Sequence, residues 1–295
     1  MRLRRTTPVA ALATAALALS ACGGGSTAAG GDVPVADKPS FAAGSTMAKL
    51  ADAGKLRVGT KFDQPGFGLK GLSGEPEGFD VEVAKIIAGR LGIKPDAITF
   101  TESPSKVREE LIEQDKVDLV AATYTINDKR KERISFAGPY YVAGQQLMVA
   151  SDNSTIKGPD DLEANPNVKV CSVTGSTPAE QIKEYLASDA QLVLFDVYDK
   201  CADALRTGQV GVVTTDNVIL LGFVSKSDGK FKLVGEQFTE EPYGIGVKKG
   251  DTAFCKFINT TLKENEEAYN TAWSETAGKV EGAAAPKLPT AAACS

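Results

Sequence analysis

Apolar runs of strand length alternate with segments of helical periodicity along most of the chain. LRVGTKF, 56–62, reads as a strand, and FDVEVAKIIAGRLG, 79–92, spaces its apolar residues for a helix that ends at a glycine. ITFTES reads as the next strand, Pro104 starts a helix running to about Gln114, and VDLVAAT, 117–123, is an uninterrupted apolar run typical of a buried strand. The alternation then resumes. QQLMVAS, VKVCSV (168–173), LVLFD and VGVVTTD (210–216) are strand-like, separated by helical GPDDLEA, TPAEQIKEYLA and YDKCADALRTG. NVILLGFVSK predicts a helix, FKLVGEQ and YGIGVKK predict strands, and the stretch from about Thr252 to Val280 is helical. Strands alternating with helices imply α/β architecture with a mostly parallel sheet.

The pattern contains an internal echo. IEQDKVDLVAAT, 112–123, aligns with LRTGQVGVVTTD, 205–216: a helix end, a turn, a buried strand and a polar residue just past it. Thr123 falls on Asp216. Two small α/β lobes follow from this, each with polar groups at a strand's carboxyl end, where open α/β sheets bind ligands.

The ends of the chain carry different signals. Arg2, Arg4 and Arg5 precede an apolar stretch from Val9 to Leu19 and the small residues Ser20 and Ala21, which is the layout of an export signal over residues 1–21. LSAC, 19–22, resembles a bacterial lipobox, so cleavage before Cys22 and a lipid on its sulfur are expected; ordinary secretion with an incidental cysteine is the alternative. The apolar core of this leader is too short to span a membrane stably, and no later segment is long enough. Residues 22–46, rich in Gly, Ala, Ser and Thr, read as a flexible tether. Of five cysteines, four remain after Cys22, an even number suited to an oxidising compartment. Three pairings are possible. Cys171 with Cys201 and Cys255 with Cys294 is favoured, because the second pair would tie down the tail EGAAAPKLPTAAACS; free buried thiols are the alternative.

Charge and composition remove several function classes. Without the leader's three arginines, 30 basic residues face 38 acidic ones, a formal charge of −8, so nucleic acid is not an expected partner. There is no histidine, which removes His-based triads, His metal sites and the usual proton shuttle. No G-x-S-x-G elbow and no C-x-x-C pair occurs, and neither a metal nor a cofactor is implied. GFGLKG, 66–71, matches G-x-G-x-x-G, but turn-rich LSGEPEG follows it instead of a helix able to hold a pyrophosphate.

Three stretches remain as binding candidates. In TYTINDKR, 123–130, Asn127 is a plausible N-cap, which sets Arg130 one turn into a helix beside the end of strand 117–123. Its planar fork suits a carboxylate, with Thr123, Tyr124 and Thr125 alongside; a solvated helix start is the plain alternative. In TGSTPAE, 174–180, Gly175 permits a tight turn, while Thr177 and Glu180 form a capping box with Pro178 at the first helical position. That helix start is either simple capping or a second clamp on a carboxylate. Asp216 either caps the following helix or faces Thr123 across a cleft, where it could take an ammonium.

With TKFDQPGFG, GFDVEVA, ATYTINDKRKERISFAGPY, CSVTGSTPAEQ and TTDNVILLG in view, the chain over about 47–280 resembles the polar amino-acid solute-binding proteins, family 3, of bacterial ABC importers. More narrowly it is similar to the glutamate-binding lipoproteins of actinobacteria. The resemblance implies a type II two-lobed clamp joined by two crossover strands: lobe one over 47–145 and 245–295, lobe two over 146–244. It implies that Arg130 grips a ligand's α-carboxylate with Thr123, Tyr124 and Thr125, that Gly175, Ser176 and Thr177 close on the same group, and that Asp216 binds the α-ammonium. Family members for basic amino acids often carry an acidic residue after the first strand. Lys61 stands there instead, which favours an acidic ligand.

A charge count over Lys61, Arg130 and Asp216 gives +1, which one glutamate or aspartate would neutralise in a dry site; glutamine would leave a cation unpaired. The expected role is thus capture of glutamate, or aspartate, by hinge closure. Delivery to an ABC permease follows, by a monomer held at the outer face of the cell membrane through lipid on Cys22. Two rivals share the fold: a ligand-sensing lipoprotein for glutamine, asparagine or another polar amino acid, and an enzyme similar to cyclohexadienyl dehydratase with Lys61 or Glu241 as base.

Overall fold

The computed structural model describes residues 34–72 and 74–294; the leader and Cys22 lie outside them. Helix α1 (Thr46–Ala53) precedes strand β1 (Leu56–Thr60). Three short strands follow, β2 (Asp63–Gln64), β3 (Gly68–Lys70) and β4 (Pro76–Glu77), which make a small antiparallel sheet of their own. The GFGLKG segment is therefore part of a hairpin and not a phosphate loop. Then come α2 (Phe79–Arg90), β5 (Ile98–Glu102), α3 (Arg108–Glu113), β6 (Leu119–Val120), α4 (Asp128–Lys131) and β7 (Ser135–Ala143). The next unit holds β8 (Gln145–Ala150), α5 (Asp161–Ala164), β9 (Val170–Val173), α6 (Thr177–Gln181), β10 (Leu192–Phe195), α7 (Tyr198–Arg206), β11 (Val212–Asp216), α8 (Asn217–Ser225) and β12 (Phe231–Val234). Strand β13 (Glu241–Val247) and helices α9 (Thr252–Glu264) and α10 (Glu266–Glu275) complete the chain's regular elements.

Two five-stranded sheets result, ordered β5-β1-β6-β13-β7 and β10-β9-β11-β8-β12. In each, four strands run in one direction and one, β13 or β8, runs against them next to the edge. β6 and β11 hold the same third place, so the echo between 112–123 and 205–216 reflects equivalent strands. The chain crosses between the sheets at Gly144 and again between β12 and β13. A Cβ at Gly144 would lie 2.5 Å from Gln237 Oε1 and 2.7 Å from the Thr239 carbonyl, so the two crossings pack too closely for a side chain there. The returning strand pairs with the first sheet from Glu241 onward, slightly upstream of the boundary expected at 245.

An aromatic cluster braces the first sheet. Phe67 meets Phe79, Tyr141, Tyr243 and Trp273 edge-on, and Trp273 stacks on Tyr141 at 5.1 Å. Such pairs add about 0.5–1.5 kcal/mol each beyond the area they bury. They lock α10 and the β2–β3 turn against the strands that lead into the crossings.

Part of the expected tether is not free. The Ala36 amide donates to the Gly89 carbonyl at 2.8 Å, Pro39 lies against Gly92, and the Phe41 ring meets Phe257 edge-on at 5.5 Å. At the other end the Ala292 amide donates to the Gly138 carbonyl at 2.7 Å. Both favoured disulfides are present, Cys171–Cys201 between β9 and α7, and Cys255–Cys294 between α9 and the tail. Among the described residues no helix is long and apolar enough to cross a membrane.

The Cys171–Cys201 bridge closes a span of 30 residues. Its removal by the double replacement Cys171→Ala/Cys201→Ala is expected to lower stability by about 2–4 kcal/mol, read by urea denaturation under non-reducing conditions.

Candidate functional site

The carboxyl ends of the parallel strands in both sheets face one another, and the polar residues cluster there. Lys61 follows β1. Its side chain is only 2% exposed, and the ammonium donates to Ser105 Oγ at 2.8 Å. Among the described residues it has no ion pair. Burial first, then the positive charges of Arg108 and Arg130, push its pKa down to about 7.

Thr123 follows β6 with φ of 44°, in the left-handed region that a β-branched residue rarely enters. Asp80, at the start of α2, holds it there by accepting from the Thr123 amide at 2.8 Å while also accepting from the Tyr140 hydroxyl. Burial pushes the Asp80 carboxyl up to about 7. The Thr123 hydroxyl donates to Gln64 Oε1 at 3.0 Å and to the Ala122 carbonyl at 2.8 Å. Tyr124 is fully buried beneath two guanidinium groups, Arg108 at 4.0 Å and Arg130 at 5.1 Å from its ring.

Asn127 is the N-cap of α4, its side chain accepting from the Arg130 amide at 2.9 Å. Arg130 is thereby aimed back at the strand end. It donates to the Thr125 carbonyl at 2.6 Å and, across the cleft, to the Gly175 carbonyl at 3.1 Å, while Glu109 lies 3.3 Å from its Nε. Burial lowers its pKa to about 10, leaving it charged. Gly175 has φ of 80°, and a Cβ there would lie 2.8 Å from Lys106 Cα, so the turn needs glycine twice over.

The helix after that turn starts one residue earlier than the sequence pattern suggests. Ser176 is the N-cap of α6, accepting from the Ala179 amide at 3.1 Å, so Thr177 is no capping residue. Its hydroxyl instead donates to Glu241 Oε2 at 2.7 Å and lies 3.4 Å from the Thr125 hydroxyl. Asp216 precedes α8 without capping it through its side chain. One carboxylate oxygen accepts from the Tyr243 hydroxyl at 2.5 Å; the other is buried with no partner. Burial, then the nearby charge of Glu241, pushes the Asp216 pKa up to about 7.

Between the lobes lies a narrow cavity of about 10 Å³, bordered by Ser105, Arg108, Thr123, Thr125, Thr177 and Asp216, among others. Several of its lining groups are buried without a hydrogen-bond partner: Gln64 Nε2, Arg108 Nε, the Tyr198 hydroxyl, Thr215 Oγ1 and Asp216 Oδ1. Buried polar groups are rarely left unsatisfied, so this cavity is chemically matched to a small molecule with both donors and acceptors. Ser105, Ser176 and Thr177 also border a wider pocket of about 420 Å³ that Arg130 lines with Lys106, Lys129 and Arg133. Arg130 thus borders the mouth and Arg108 the inner cavity.

The charge count made from sequence was incomplete. Arg108 is a third buried cation, and Asp80, Glu109 and Glu241 are buried carboxylates beside the expected Asp216. Arg108 escaped notice because a lone arginine at a helix start looks like a solvated one. Its position just past strand 98–102, equivalent to Arg130 past strand 117–123, was the available signal.

The family model for bacterial extracellular solute-binding proteins, family 3, matches residues 56–272. The chain belongs to that family. It is 39% identical over 262 residues to "Glutamate-binding protein GluB" of Corynebacterium glutamicum, covering 86% of this chain and 82% of that one. It is 38% identical over 251 residues to "ABC transporter glutamine-binding protein GlnH" of Bacillus subtilis, covering 85% and 88%. Among solved structures, an ancestral arginine-binding protein bound to arginine superposes with a TM-score of 0.69 at 35% identity, over 78% of this chain and 99% of its own. The architecture is the type II periplasmic-binding-protein fold, and the family's extracytoplasmic members capture small amino-acid ligands for ABC importers.

Helix α8 lies against the first lobe: a Cβ on Gly222 would lie 2.4 Å from the Pro65 carbonyl. Gly222→Ala is expected to weaken amino-acid binding at least about tenfold by blocking this approach, while ligand-free melting stays as in the wild type; calorimetry and a thermal melt check both.

Proposed function

We propose that this protein captures L-glutamate for an ABC importer, closing its two lobes on the ligand and handing it to the permease from the outer face of the membrane, held there by lipid on Cys22. The observation that supports the choice of ligand is a cavity lined by buried Arg108 and by Ser105, the partner of the buried Lys61 ammonium, with the unpartnered Asp216 oxygen supplied by the other lobe. Asp216 receives the α-ammonium. Arg130 and the Gly175–Thr177 turn receive the α-carboxylate, and Lys61 with Arg108 receives the side-chain carboxylate. The similarity to a protein named for glutamate supports this reading.

Energetics favour the acid. A charged lysine facing a neutral amide in a closed site lacks its counter-ion, whereas a carboxylate supplies one. Lys61→Met, which keeps the side chain's length, is expected to cost glutamate about 100-fold in affinity and glutamine less than about fivefold, measured by calorimetry. Equal losses for the two ligands would remove the side-chain role of Lys61.

A second reading, glutamine, is favoured by the similarity to a glutamine-binding protein and by a lysine that gives up its proton near neutrality. The pH dependence separates them. A bound carboxylate favours charged Lys61, so binding above about pH 7 takes up a proton and glutamate affinity falls as pH rises. A bound ammonium favours ionised Asp216, so binding below about pH 7 releases a proton and affinity falls as pH drops. Glutamate affinity is therefore expected to peak near neutrality. Glutamine, which does not require a charged lysine, is expected to lose affinity only on the acid side. Titration calorimetry from about pH 5.5 to 9 reads both limbs.

A further inference from the structure

The lobes also meet at Asp63, which does not line the cavity. Helix α7 begins with Val197 as its N-cap, which makes no side-chain cap bond. The Tyr198 amide donates instead to Asp63 Oδ2, at 2.6 Å, from a residue 135 positions away in the small sheet of the first lobe. Asp63 is 6% exposed, and its other oxygen, Oδ1, is buried beside the same helix start with no partner. A carboxylate at a helix N-terminus satisfies an amide that the helix itself cannot and meets the positive end of its dipole.

The surroundings agree with this placement. Asp199, the next residue of α7, has its carboxyl pushed up by burial and by the charge of Asp63. Lys61, two residues from Asp63, supplies an opposite charge. The Pro65 carbonyl, on the same turn, is the atom on which Gly222 of α8 rests. Residues 63–65 thus form a seat for the starts of one helix and the middle of another from the opposite lobe.

We propose that Asp63 is a cap supplied in trans: a positioning residue that completes α7 only when the lobes are shut, and so holds the closed form without touching the ligand. Opening the clamp breaks the bond and returns both the carboxylate and the Tyr198 amide to water. The consequence is kinetic. Ligand must first encounter the open form, which lacks this bond, so the cap governs how slowly ligand leaves and leaves the rate of arrival unchanged. The inference rests on the clamp reading given above and adds a contact that sets residence time.

Stopped-flow dissociation of L-glutamate from Asp63→Ala and Asp63→Asn, with thermal melts in the presence and absence of glutamate, tests it. Loss of a cap predicts dissociation about tenfold faster in Asp63→Ala with association unchanged. The ligand-free melting temperature should match the wild type, and the liganded one should fall. Asp63→Asn, which keeps an acceptor, should recover most of the lost residence time. Dissociation from Asp63→Ala at the wild-type rate overturns the proposal, as does a ligand-free melt that falls as far as the liganded one, since that is what a merely structural role in the hairpin would give. A wild type that ignores glutamate defeats the choice of ligand, not the cap. Amide exchange at Tyr198, with the protein saturated by whichever of the twenty amino acids most raises the wild-type melt, then decides: about tenfold faster in Asp63→Ala than in the wild type supports the cap, and equal rates overturn it.

Discussion

The cleft is organised around an ammonium group shut away from water. Lys61 has a serine hydroxyl as its direct partner, and two guanidinium groups add to its charge instead of cancelling it. Like charges in a dry site are costly unless dipoles or anions surround them. The first lobe answers with carbonyls and carboxylates, Glu109 lying 3.3 Å from Arg130 Nε. Arg108 points into the carbonyls of Ala122 and Thr123, Arg130 into that of Thr125, and Asp80 sits behind the Thr123 amide. The strained backbone at Thr123 is the geometric result, since it turns those carbonyls toward the cations. Tyr124, buried under both guanidinium groups, gives them a π face that water would otherwise provide.

The second lobe contributes little charge of its own but much geometry. Its glycine turn brings a carbonyl to Arg130, its Thr177 hydroxyl reaches Glu241, and Asp216 is held by Tyr243 from the opposite sheet. Tyr243 in turn belongs to the aromatic cluster around Phe67 and Trp273. The orientation of the carboxylate that faces the cavity is thereby tied to the core of the first lobe. Each bond across the gap is single and neutral or singly charged, the type that can be broken and remade without disturbing either sheet.

Much of this was legible in the sequence. Buried parallel strands announce themselves by apolar runs, and the repeat of 112–123 at 205–216 marked equivalent strands before any coordinates. Asn127 and Arg130 were readable because capping is a local rule. β7 was not recognised: Gly138 and Pro139 interrupt it, and it is tolerated because it lies at a sheet edge, where a missing amide costs no ladder bond. Two adjacent hydroxyls, Ser176 and Thr177, could each have capped α6. The local S/T-x-x-E rule chose Thr177, but Glu241, distant in sequence, claims that hydroxyl. Asp80 was missed for the same reason, and Glu241 was read only as a base in a rival enzyme. The importance of both lies in which strand ends the fold brings together, and nothing within a few residues of Asp80 or Glu241 says so.

Both ends of the chain are fastened to one half of the molecule. The entering segment lies along α2 and α9 through Ala36, Pro39 and Phe41, and the departing tail is bridged to α9 at Cys255. The other half is an insertion, connected only by the two crossings beside Gly144. In the proposed clamp, a pull on the chain entering at residue 34 would therefore fall on that half alone, and the opening equilibrium would be insulated from it.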